Sequence, residues 1–553
     1  MSALPSPSRS LRPLPVRGLL RLRGRGDTWY KPAFSAAAAL ALPGAVMLAV
    51  GRLDLMLYIS AGSLCALYAH GQPYAARART LGWVAAGMGA SVAAALCTAA
   101  ATDATWARVA VAALIAAVHK AVCDATRIGP PANVIFTFIA ASCAFLPQRA
   151  ADVPAHLALV LAGAAVAWLV GMAPALRRPD GPERIAVARA LEAVARHRAD
   201  PAPAHRHAAA GAINAAWHTL FQVPGSAPGR ALLERLVVRA EAAMAGAPGD
   251  ARRLVRWAGE LRAGARPDVP GPSPEEAREL AGIAADRRAP HGPRGVRGLL
   301  AALGPGSPLP PVAARVALGS AVAGWASMLL GVGRPYWAVV TAASVFQANI
   351  TLSWGRAVQR VVGNLAGLVL FAALLPVTRT GAVALLLVVL AFQIGAEYGM
   401  SRNYWLGSVF VTPMALTMVE FAGYQDPGPL ISERALDSLL GAAAGLLCCA
   451  LVPNRRAGGR VGAALERLTA ATRAAGPAAS GTRREIAAAR DRVATALVDL
   501  RDTVEVASGE WWQGALPEER IERAERDGHR VLAGLRPAPA RHDPTTVPEE
   551  GRP

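Results

Sequence analysis

Lysine is almost missing from this 553-residue chain: Lys31 and Lys120 are the only two, and every other basic residue is arginine. Charge of either sign is scarce too, at 17%, where soluble domains carry about 25%. With 53% of residues apolar and a mean hydropathy of +0.31, the composition argues against an ordinary soluble enzyme and against disorder outside short tails. The six cysteines (Cys65, Cys97, Cys123, Cys143, Cys448 and Cys449) lie in or beside apolar stretches and form no C-x-x-C. They read as buried free thiols, not as a disulfide framework or a zinc site. No G-x-x-x-x-G-K-[ST], H-E-x-x-H or G-x-S-x-G is evident, which disfavours ATP-driven pumping, zinc-protease and α/β-hydrolase chemistry. His205-x-His207 alone is a weak metal signal. The expectation is no enzyme, no cofactor and no metal. The net charge of +20 fits basic segments beside a membrane better than nucleic acid, since the aromatic-basic interleaving of single-strand binders is missing.

What is present is a series of long apolar stretches. Residues 1–33 carry Arg9, Arg12, Arg17, Arg21, Arg23, Arg25 and Lys31 against Asp27, and read as a basic cytoplasmic arm with no cleavable signal. Residues 34–176 hold apolar stretches near 34–51, 54–70, 81–101, 106–122, 132–146 and 155–176. Residues 312–452 hold others near 312–333, 335–350, 358–375, 381–397, 404–421 and 435–452. Each approaches the ~20 residues that cross a bilayer. Residues 177–311 and 453–535 are more polar, with helical periodicity over 183–199, 229–246 and 274–288. Thr482 and Glu485 fit a capping box. Behind it, Ile486, Val493, Leu497, Leu500 and Val504 share one helix face, which packs most simply within its own domain. Residues 536–553 read as a disordered tail. The fold class expected is all-α: a polytopic membrane protein of two six-helix transmembrane blocks, a parallel repeat, with helical cytoplasmic regions.

Arginine placement orients the spans. Arg77, Arg79, Lys120, Arg127, Arg356, Arg360 and Arg402 sit in or beside even-numbered loops, and the blocks exit at Arg177-Arg178 and Arg455-Arg456. Odd loops are balanced or acidic. Both termini and residues 177–311 are therefore expected in the cytoplasm of a multi-pass protein of the inner (cytoplasmic) cell membrane. The blocks repeat at an offset of about 280 residues: Gly51-Arg52 with Gly333-Arg334, Arg79-x-x-Gly82 with Arg360-x-x-Gly363, Arg127 with Arg402, and Gly163 with Gly441. An even number of spans per block makes the repeats parallel, with a shared interface between them.

The second block reads Gly333-Arg-Pro-Tyr-Trp-Ala, runs to Gln347 and Asn349, and continues with Arg356, Gln359, Arg360, Gly363 and Gly367. This pattern resembles the fusaric acid resistance (FUSC) family, and Glu433-Arg434-x-x-Asp437-x-x-x-Gly441 is similar to that family's last span. The first block lacks the Tyr-Trp pair, and Asn364 stands where a small hydroxyl residue is expected. The family includes bacterial aromatic acid exporters and is distantly related to plant aluminium-activated malate transporters. The resemblance implies export of small organic anions, aromatic carboxylates among them, driven by membrane potential or a proton gradient. An anion channel, or a scaffold whose cytoplasmic helices bind partners, are the alternatives. The partners expected are membrane lipids and the anion, with a homo-oligomer open and nucleic acid excluded.

Arg356 and Arg360, about one helical turn apart, could draw anions at a cytoplasmic mouth, with Arg79 and Arg402 adding to the potential. The same arginines could serve only as topology anchors. Gln347 and Asn349 either line a wet path or hydrogen-bond between helices. Tyr336 and Trp337 belong to the interfacial aromatic belt or stack on an aromatic substrate. Glu397 is the candidate for proton coupling, or else an exposed loop residue. Gly363/Gly367 and Gly441/Gly445 have the small-x-x-x-small spacing of close helix packing.

Overall fold

The computed structural model describes residues 14, 16–223, 228–244, 251–271, 298–300, 303–304, 307, 309–452, 457–478, 480–481, 483–509 and 516–534. The expected helix at 274–288, Thr482 of the capping box, Arg455-Arg456 and the 536–553 tail lie outside them. No strand occurs among the described residues. The first group of apolar helices is α1 (Tyr30–Ala49), α2 (Met56–Ser63), α3 (Tyr74–Ala101), α4 (Thr105–Thr126), α5 (Asn133–Ala144) and α6 (Val153–Met172). Next come α7 (Gly181–Ala199), α8 (Pro203–Phe221), α9 (Pro228–Met244) and α10 (Ala251–Ala263). The second apolar group is α11 (Leu309–Leu329), α12 (Tyr336–Val345), α13 (Ile350–Thr378), α14 (Ala382–Arg402), α15 (Tyr404–Val419) and α16 (Pro427–Leu451). The last three are α17 (Ala457–Ala478), α18 (Arg483–Ser508) and α19 (Glu518–Gly534).

Nine of the described helices are long and apolar enough to cross a membrane, and the segments Leu53–Leu67, Asn133–Ala144 and Tyr336–Val345 are shorter apolar helices. Large apolar side chains such as Trp83, Leu114, Leu169, Val369 and Leu447 point outward from the long ones, as they must where the solvent is lipid. The chain is an all-α, multi-pass membrane protein.

The short helices differ from the sequence reading. The stretch 335–350 is not one span: the backbone leaves the helix at Phe346, and Asn349, in extended conformation, caps α13 by accepting the Leu352 N–H at 2.9 Å. At 1.5 Å per residue, α12 covers roughly half of a ~30 Å hydrocarbon layer. Every residue of α12 is buried, so its apolar character comes from protein packing, not from facing lipid.

Packing follows the same plan in both groups. In the first, α6 lies against α1, α2 and α3, while α5 lies against α3 and α4; in the second, α16 lies against α11, α12 and α13, while α15 lies against α13 and α14. The groups meet at α4–α11, α1–α14, α5–α12 and α2–α15. Exchanging the groups turns each of these four contacts into another of the four, although α4 also touches α12. Glycines mark the equivalent crossings. A Cβ on Gly163 would strike the backbone of Ile59 and Ser63, and one on Gly441 would lie 2.6 Å from the Ala338 carbonyl and 3.1 Å from the Ala342 nitrogen.

Outside the apolar helices, α7–α10 share a core that includes Val187, Leu191, Leu220, Leu236, Trp257 and Leu261. In α18, Val493, Leu497 and Leu500 are buried, with Ile486 and Val504 packed beside them, against Val461, Leu465 and Leu468 of α17 and Ile521 of α19. The stripe thus finds its partner within its own unit.

Candidate functional site

Early in α13 and at the start of α15, two arginines meet one tyrosine. Arg360, only 6% exposed, donates from Nη1 to the Tyr404 hydroxyl at 2.7 Å. One turn earlier, the Arg356 guanidinium sits 3.9 Å above the centre of the Tyr404 ring, a cation–π contact. Gly363 and Gly367 let α13 approach α15 at Trp405 and Val409 closely enough that no side chain fits.

One turn deeper, Asn364 is a hydrogen-bonded rung. It donates from Nδ2 to the Ser438 hydroxyl at 2.9 Å and accepts from the Thr412 hydroxyl at 2.8 Å, linking α13, α16 and α15. Ser438 in turn donates to the Arg434 carbonyl at 2.7 Å.

Beyond the rung lie Arg434 and Asp437 of α16, 2% and 0% exposed. The Arg434 guanidinium stands 4.1 Å from the centre of the Trp337 ring, and Asp437 accepts from the Ser327 hydroxyl at 2.6 Å. Arg334 pairs with Glu433 at the far end. Among the described residues, Nε and Nη1 of Arg434, Nε of Arg360, Nε1 of Trp337 and Oδ2 of Asp437 are buried with no hydrogen-bond partner. The Arg434 guanidinium and the Asp437 carboxylate are buried neighbours on α16, and the Arg360 guanidinium is buried on the other side of the Asn364 rung. Unpaired buried charge costs several kcal/mol, roughly, and ionisable groups inside a membrane bundle point to a functional path. The arrangement is a ladder of buried polar and charged side chains through the second group, with more guanidinium than carboxylate among them.

The first group keeps the frame and loses the charge. The two glycine crossings align Tyr58 with Trp337 and His156 with Arg434. There the His156 ring stacks on Tyr58 at 3.9 Å, and its Nδ1 shares a hydrogen bond with Gln148 at 3.0 Å. Arg77 is the buried arginine of α3, and its Nη1 is spent on the Gly171 carbonyl at 2.9 Å. Arg79, the sequence candidate two residues on, is exposed, and a Cβ on Gly82 would meet open space. The Arg79-x-x-Gly82 pairing therefore matches Arg360-x-x-Gly363 in sequence but not in surroundings.

The other sequence candidates separate. Arg402 is turned away from Arg360: it donates to the Arg23 carbonyl at 3.2 Å and to the Tyr398 hydroxyl at 3.2 Å. Asn349 is buried as the α13 cap, and Gln347, half-buried, donates to the Phe346 carbonyl at 3.0 Å. Tyr336 and Trp337 are 8% and 1% exposed and pack on Phe145 and Phe138, so neither belongs to an interfacial belt. Burial by α5, a contact between the two groups, is what local sequence does not reveal. Glu397 is half-buried on α14. Gly445 has ordinary contact with Ala342 and Val345, looser than Gly441. Sequence reasoning left Arg434 and Asp437 out of the site, although two ionisable residues inside an apolar helix were the available signal.

Two comparisons with known proteins find relatives. Residues 321–448 match the family described as fusaric acid resistance protein-like, and that range contains the whole ladder from Ser327 to Ser438. A stretch of 131 residues is 30% identical to the uncharacterized membrane protein YvaC of Bacillus subtilis (strain 168), covering 23% of this chain and 21% of that one. The chain thus spans about a fifth of the curated relative it matches. No solved structure matches the chain.

Proposed function

We propose that this chain, a membrane protein whose residues 321–448 are a fusaric acid resistance protein-like domain, exports small organic anions, aromatic carboxylates foremost. The observation that carries this reading is the pair of buried guanidinium groups, Arg360 and Arg434, with unspent donors on either side of the Asn364 rung. A carboxylate fits both the charge and the fork of a guanidinium. The buried Trp337 N–H, which has no partner among the described residues, adds a donor that suits a carboxylate oxygen. In this reading the mouth formed by Arg356, Arg360 and Tyr404 opens to the cytoplasm, as do the termini and α7–α10, and the membrane is the cell's cytoplasmic membrane. An inside-negative potential then drives an anion outward with about 2.3 kcal/mol per charge per 100 mV. Proton coupling, if the carrier uses it, falls to Glu397, and Glu397→Gln would remove the dependence of efflux on an imposed proton gradient.

The test is efflux of a labelled aromatic acid from cells with and without the gene, and with Arg360→Ala or Arg434→Gln at matched abundance. Loss of efflux in both variants is expected. Unchanged anion flux on deletion of the whole gene would overturn the reading.

A further inference from the structure

The arm that precedes α1 runs alongside the cluster of Arg356, Arg360 and Tyr404. Its carbonyls are held one after another: Leu19 by Gln359 Nε2 at 2.8 Å and by Asn403 Nδ2 at 3.0 Å, Leu20 by Trp405 Nε1 at 3.0 Å, and Arg21 by Asn403 Nδ2 at 3.0 Å. Arg23 is held both ways, its N–H donating to the Arg402 carbonyl at 3.1 Å and its carbonyl accepting from the Arg402 side chain at 3.2 Å. Gln359 lies beside Arg360, and Trp405 beside Tyr404, so the arm rests on the residues flanking the two that bind each other in that cluster. The Leu19 side chain also covers Gly355, next to Arg356.

The far end of the arm is tied elsewhere. Asp27 accepts from Arg189 of α7 and from Arg262 of α10, the latter at 2.8 Å, and Thr28 accepts from Arg189 at 3.0 Å. Glu192 holds Arg262 in place at 2.7 Å. Partial burial pushes the Asp27 carboxyl up, but the hydrogen bonds and charges of Arg189 and Arg262 outweigh it and bring it from 3.8 down to about 2. Gly26 lies over Ser401, and Trp29 packs edge-on against Tyr398. The arm has little packing of its own, since Val16, Leu20 and Leu22 are exposed. A segment held by carbonyl hydrogen bonds with few buried apolar contacts opens at low cost.

We propose that the arm is a strap that closes the anion mouth, and that Asp27, held by Arg189 and Arg262, is its latch, so that α7–α10 control access to Arg356 and Arg360. This regulation rests on the export reading for its flux consequence, and not for the latch itself. An anionic ligand or a modification that competes for Arg189 and Arg262 would release the strap.

The experiment uses the full chain in inside-out vesicles, with Cys97→Ser to remove the exposed thiol and Ser401→Cys as a reporter under Gly26. A charged, impermeant maleimide reports whether the arm covers that position, and flux of labelled benzoate is measured in parallel. With Asp27→Asn or Arg262→Gln, labelling of the reporter rises at least about tenfold, the equilibrium shift that losing one charge-assisted hydrogen bond produces. Benzoate flux rises several-fold, and Asp27→Glu restores both. Unchanged labelling overturns the latch, and increased labelling with unchanged or reduced flux overturns the gate. If the unmutated chain carries no benzoate at all, the export reading fails and the gate with it, while the labelling still decides whether Asp27 holds the arm.

Discussion

Arg434 and His156 occupy equivalent places, each over an aromatic ring, yet one is a permanent cation and the other is not. The chemistry of the second group therefore depends on one side chain that the first group does not duplicate. Arg434→Lys keeps the charge and loses the fork and the flat stacking on Trp337, so we expect efflux to fall about tenfold or more, for the loss of one charge-assisted contact. Kinetics at matched abundance check this, with most of the loss appearing as weaker apparent affinity for the anion. Glycines give a second residue-scale test. Gly441→Val must displace the Ala338 backbone, whereas Gly82→Ala meets nothing within 4 Å. The first should lower the unfolding temperature in detergent by several degrees and the second should leave it unchanged. Gly363 and Gly441 were legible as packing glycines because small-x-x-x-small spacing is a local signal. Arg434 was not singled out, because a charge in an apolar run looks the same whether it ends a span or lines a path.

At the scale of elements, the long spans were legible because lipid demands an unbroken apolar run of a set length, and α1, α3, α4, α6, α11 and α13–α16 have one. The break between α12 and α13 was not, since an apolar run does not record where hydrogen bonding stops. Only Asn349, the cap, betrays it. Asn349→Ala should therefore cost about 1 kcal/mol through loss of the cap, measurable as a lowered unfolding temperature. In the last three helices, Leu500 of α18 is fully buried in a core shared with α17. Leu500→Asp should open that unit and expose it to limited proteolysis, while the apolar helices stay protected. The docking of the arm over 19–23 could not be read from sequence, because its hydrogen bonds there use main-chain groups, which every residue possesses.

For the whole molecule, the arm, α7 and α10 join at one end of the bundle through Asp27. The end of α18 touches that same end, where the Gly509 carbonyl accepts from the Thr351 hydroxyl at 2.9 Å. Impermeant dyes should reach cysteines placed in α10 and α19 from the same side, and only after the membrane is opened or inverted if that side is cytoplasmic. Acid should loosen the join. The Asp27 carboxyl titrates lower when docked than its ordinary 3.8, so docking is fully favoured above about pH 4 and weakens as pH falls toward 2. Reporter labelling at position 401, taken at each pH relative to the same reporter in Asp27→Asn so that the thiol's own ionisation cancels, should climb over that window and stay flat from pH 5 to 8. The unequal halves carry a last consequence. On the proposed export reading, one charged ladder means a single lane per polypeptide, so in any assembly of several copies, mixing Arg434→Gln chains with intact ones should reduce throughput in proportion to the share of disabled copies.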